Sequence, residues 1–97
     1  MIRHTVVFTL RHPEGWPEEQ AFLRDARTAL ETIPGVEKFE QLRQVSRKNN
    51  YRFGFSMEFA DQAAYDGYDG HPRHVDFVQN RWIPEVASFL EIDYEPL

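Results

Sequence analysis

Seven consecutive positions, Tyr68-Asp69-Gly70-His71-Pro72-Arg73-His74, bring together a phenol and two imidazoles, and a further imidazole, His4, stands near the start of the 97-residue chain. Imidazole is the side chain whose ordinary pKa lies closest to neutrality, and a phenol can donate or accept a hydrogen bond. Gathered on one bound molecule, such groups supply a base and an oxygen donor. That is acid–base equipment.

The same residues also have a purely structural reading. The residue before a proline is pushed out of the helical region, so His71-Pro72 is a way to stop one helix and start another. On that reading His71 bonds the carbonyls left free by the preceding helix, Tyr68 bonds backbone, and His4 is a satisfied core imidazole. Four histidines also raise the question of a divalent metal, with Asp69 and Asp76 close in sequence to His71 and His74. Pro72 disturbs the helical geometry that a histidine pair three residues apart would need, so neither a metal nor a cofactor is expected.

The elements that must position these groups are legible as periodicities. Residues 2 to 10 alternate, placing Ile2, His4, Val6, Phe8 and Leu10 on one face, the period of a strand. Pro17 with Glu18 and Glu19 opens a helix in which Phe22, Ala26, Ala29, Leu30 and Ile33 recur at helical spacing, and Pro34-Gly35 ends it. Residues 36 to 46 predict a strand with a phase break, as a bulge would produce. Tyr51, Phe53, Phe55, Met57 and Phe59 alternate without interruption in the next. Asp61 caps a helix carrying Ala64, Tyr65 and Tyr68 inward. A further helix is predicted from about His74 to Ser88, with Pro84 kinking it or ending it early, and residues 89 to 95 close as a strand.

The order β-α-β-β-α-β, with its second helix broken, is the α+β ferredoxin-like arrangement of a four-stranded antiparallel sheet with helices on one side. All of 1–97 is one domain at this length. Eight Phe, four Tyr and two Trp exceed what one face of so small a sheet is expected to absorb, which predicts a homodimer paired through the other face.

Composition removes several function classes. No cysteine is present, so disulfides, thiolate catalysis and cysteine-based zinc sites are excluded. Sixteen acidic against eleven basic residues give a formal charge of −5, which disfavours nucleic-acid phosphates and anionic lipid, although five basic residues cluster between Lys38 and Arg52. No apolar run approaches a membrane span and no signal-type segment precedes the first strand, so a cytoplasmic location and no membrane partner are expected.

The pieces Ile2-Arg3-His4-Thr5-Val6-Val7-Phe8, Ile33-Pro34-Gly35-Val36, Phe53-Gly54-Phe55, and Ala64-Tyr65 leading to His71-Pro72-Arg73-His74 resemble the stress-responsive A/B barrel (Dabb) family from end to end. The resemblance implies a dimeric α+β barrel. One branch of that family, plant polyketide cyclases, carries out an intramolecular aldol condensation with a first-strand histidine and a Tyr-x-x-His-Pro-x-His segment. Carried over by position, it implies His74 as base and Tyr68 as oxygen donor, with His4 and His71 orienting the site. The ligand so implied is a small hydrophobic carbonyl compound, and the activity that of a cyclase or lyase. The alternative is a non-catalytic stress-response or assembly protein whose His-Pro-x-His segment is structural.

Overall fold

The computed structural model describes residues 1–97. Strand β1 (Ile2–Leu10) leads through a turn to α1 (Pro17–Leu30), which is followed by β2 (Glu37–Arg43) and β3 (Phe53–Phe59). Then come α2 (Gln62–Asp69), α3 (Pro72–Phe77), a π-helical turn (Val78–Trp82), α4 (Ile83–Glu85) and β4 (Val86–Tyr94). The strands lie in the order β2-β3-β1-β4, with every neighbouring pair antiparallel. This is the expected ferredoxin-like sheet.

Local chemistry explains the boundaries. Pro17 occupies the first turn of α1, where its missing N–H costs nothing, and Glu18 and Glu19 complement the positive helix end. Asp61 caps α2 by accepting the Ala64 N–H at 2.9 Å. Gly35 adopts φ +93°, and a Cβ there would meet the Ala64 backbone oxygen at 3.3 Å, so this glycine both turns the chain and lets it pass against α2. The phase break expected in β2 is a bulge: its register against β3 shifts between Glu37 and Glu40, with Lys38 at φ 51°.

Two expectations about extent and packing are corrected. The long last helix does not run from His74 to Ser88, because it starts at Pro72, loosens into the π turn and stops at Glu85. Pro84 fits within the first turn of the short α4, and β-branched Val86 then pairs with Leu10 as strand. Nor do the aromatics of β3 overflow the covered face. Phe53, Phe55, Met57 and Phe59 are all buried under the helices, where Phe8 packs against Phe55 at 4.8 Å and Trp82 at 4.9 Å between ring centroids. Each buried Phe contributes about 2 kcal/mol of transfer free energy. The uncovered face of β3 presents only Gly54, Ser56 and Glu58. The apolar surface left over there lies on other strands, at Leu42, Leu90, Ile92 and Tyr94.

Candidate active site

Antiparallel pairing places His4 of β1 opposite Asp93 of β4, with both side chains on the helix-covered face. His4 is 5% exposed, and its Nδ1 lies 2.6 Å from Asp93 Oδ1. A carboxylate only accepts, so Nδ1 donates and carries the ring proton. Tyr65, from α2, donates its hydroxyl to the other Asp93 oxygen at 2.9 Å and stands 3.0 Å from His4 Nδ1. The carboxylate is thus held from two sides, and Nε2 is the His4 nitrogen left for other partners.

His74 is set by a different partner to the same end. Its Nδ1 lies 2.8 Å from the backbone oxygen of Asp69, the last residue of α2. A carbonyl cannot donate, so Nδ1 again holds a proton and Nε2 is the nitrogen left to exchange one. The Tyr68 ring sits 4.5 Å from that of His74 and 6.2 Å from that of His4, between centroids. Burial first, then the negative charges of Asp69 and Glu91, push the Tyr68 hydroxyl well above the ordinary tyrosine range. The phenol therefore stays a donor. Burial and the hydrogen bond to Asp93 raise Tyr65 in the same direction.

His4, Tyr68 and His74 share one cavity of about 380 Å³ between sheet and helices. Its walls are aromatic and aliphatic, with Phe55, Phe77, Trp82 and Phe89 prominent, and Asp69 and Glu91 add its carboxylates. This is the size and character of a small-molecule site, apolar with a few convergent polar groups. The helix-side wall owes its position to the π turn, whose Val78 and Trp82 face the cavity. Arg81 ties that turn down, donating to Asp25 of α1 at 2.6 Å and to Glu85.

His71 lies apart from the cavity. The sequence reading had it bonding carbonyls at the end of α2, but those are taken by the backbone N–H groups of Gly70 and His71 and by His74. His71 Nδ1 instead accepts the Arg73 N–H at 3.1 Å, capping α3. With φ −66° and ψ 137° forced by the following proline, its ring reaches forward to the new helix. Asp93 and Tyr65 are the site residues that sequence reasoning missed. Tyr65 stood on the inward face of its helix, but Asp93 gains meaning only from the β1–β4 register, which periodicity cannot supply.

Fold and cavity define a class: a ferredoxin-like α+β domain with an imidazole and phenol site between its layers. The profile of the stress-responsive A/B barrel domain matches residues 2–96, and the chain belongs to that family. A Dabb family protein of ferredoxin-like fold from Mesorhizobium loti is 64% identical, with a TM-score of 0.98 over 99% of this chain and 96% of that one. A dimeric ferredoxin-like protein of unknown function from Bacteroides fragilis shares 22% identity, with a TM-score of 0.75 over 98% and 95% of the two chains. The hydroxynitrile lyase of Passiflora edulis shares 12% identity, with a TM-score of 0.82 over 96% and 90%, a likeness of fold alone. No protein with a curated description matches the chain.

Proposed function

We propose that the cavity carries out general acid–base chemistry on a small hydrophobic carbonyl compound, of the aldol or lyase type. The observation that carries this reading is the shared tautomer: both imidazoles at the cavity have Nδ1 committed to an acceptor. Their other nitrogens are then free to take a proton, beside a phenol held in its protonated form.

In the proposed step, Nε2 of His74 takes a proton from the carbon next to the carbonyl. The C–H electron pair becomes the new C=C bond, and the carbonyl π pair moves onto oxygen, which accepts a hydrogen bond from the Tyr68 O–H. The enolate carbon then bonds to a second carbonyl carbon, and the resulting alkoxide takes back the proton from His74. His4 and Asp93 orient the bound molecule and hold a second basic nitrogen in reserve.

The working unit is a homodimer joined through the uncovered sheet face, where Leu90, Ile92 and Tyr94 are exposed. Proton-to-deuterium exchange at the α-carbon of para-butylacetophenone, followed by NMR in deuterated buffer, tests the chemistry. Exchange that the protein accelerates and His74→Ala abolishes supports it; exchange no faster than buffer leaves the non-catalytic reading in its place.

A further inference from the structure

Nothing in the lining of the cavity carries a fixed positive charge: lysine and arginine are both absent, whereas Asp69 and Glu91 contribute carboxylates. Glu91 is paired in register with Val6 and Asp93 with His4, so both acids of β4 project to the helix-covered side. Asp93 is engaged by His4 and Tyr65. Glu91 enters no ion pair, in contrast to Glu58, which is held by Arg3 and Lys38, and Glu85, which is held by Arg81. Glu91 is exposed, so water screens its charge in part, yet no cation touches it at the edge of the cavity, and its effect reaches the Tyr68 hydroxyl.

We infer that Glu91 makes the cavity selective by charge, so that its ligand is a neutral aromatic carbonyl compound and carboxylates or phosphate esters of the same shape are rejected. The inference rests on the acid–base reading for its carbonyl group and adds the charge class and the residue that sets it. Two physical terms act together. An ion of either sign loses solvation among Phe55, Phe77, Trp82 and Phe89, whereas repulsion from Glu91 and Asp69 falls on anions alone. The aromatic walls favour a ring. A cavity of about 380 Å³, at the small end of ligand sites, admits a single ring with a short alkyl tail.

Three probes of matched shape separate these terms: para-butylacetophenone, para-butylbenzoate, and para-butylbenzylamine in its ammonium form. Binding to the full chain is read by quenching of tryptophan fluorescence, since Trp82 lines the site. The ketone should bind about ten-fold or more tighter than the benzoate, with the ammonium between them. Glu91→Gln should narrow the ketone-to-benzoate ratio several-fold, and added salt should narrow it in the native protein but less in the variant. A benzoate that binds as well as the ketone, an ammonium that binds more tightly than the ketone, or a ratio that Glu91→Gln leaves unchanged overturns the inference. Failure of the acid–base reading looks different: the ketone binds with this selectivity, yet its α-protons do not exchange.

Discussion

At the scale of single residues, the carbonyl bond at the end of α2 that was expected of His71 is made by His74. His71 caps the next helix instead, and His74, the base that the resemblance implied, bonds the carbonyl of the ending helix through Nδ1. Both bonds serve the backbone, but only His74 keeps its other nitrogen at the cavity. His71→Ala should therefore lower thermal stability by the worth of a helix cap, about 1 kcal/mol, and leave ketone binding intact, as thermal unfolding and fluorescence titration would show. His74→Ala should reduce α-proton exchange by about a hundred-fold or more. Tyr68→Phe should cost exchange about a hundred-fold while the ketone still binds. The direction of the Tyr68 shift carries a pH prediction. Raised by burial and by Asp69 and Glu91, the phenol keeps its proton as pH rises through the ordinary tyrosine range of about 10. Exchange should not fall there through loss of the donor, and ultraviolet difference titration should leave Tyr68 un-ionised when exposed tyrosines have titrated.

The elements meet at the π turn, where Arg81 binds Asp25 of α1 and Glu85 of α4 while His12 Nε2 lies 2.7 Å from Glu85. The Arg81 hydrogen bond holds the Asp25 carboxyl below its usual range. For Glu85, burial works the other way, but the bonds from Arg81 and His12 prevail and its carboxyl is also lowered. A carboxyl lowered on folding contributes stability above its unfolded value, about 4, and that contribution is lost as pH falls through the folded value. Native protein should lose melting temperature on acidification through this window, and Arg81→Met should start lower and lose less, a difference that calorimetry across pH can measure. Arg81 and Glu85 stand four apart in sequence, but Asp25 joins them only when α1 lies beside the last helical segments, which periodicity does not announce. The turns were more legible. Gly35 after Pro34 marks a chain reversal from residue type alone, and the structure adds that an added Cβ would press on Ala64. Gly35→Ala should destabilise the fold through both its positive φ and that contact.

On the scale of the whole molecule, strand and helix order followed from alternation and helical spacing, since residues such as Phe53 to Phe59 have one face to bury and only one way to bury it. The site was half legible for the same reason: residue types in Tyr68-x-x-His71-Pro72-x-His74 suggested chemistry, but which nitrogen is free depends on Asp69 and Asp93, and these are tertiary facts. The proposed dimer rests on β4, not on the aromatic strand, because it is Leu90, Ile92 and Tyr94 that lie uncovered. Ile92→Glu should shift sedimentation from dimer to monomer without loss of secondary structure. The central claim is that the cavity holds two imidazoles fixed with Nδ1 protonated and Nε2 free, and nitrogen-15 NMR of the histidine rings near neutral pH reads this directly. The account predicts the Nδ1–H tautomer for both His4 and His74, with the Nε2 signal of His74 moving when ketone is added. Nε2–H tautomers at these residues, or an Nε2 signal of His74 indifferent to bound ketone, would contradict it.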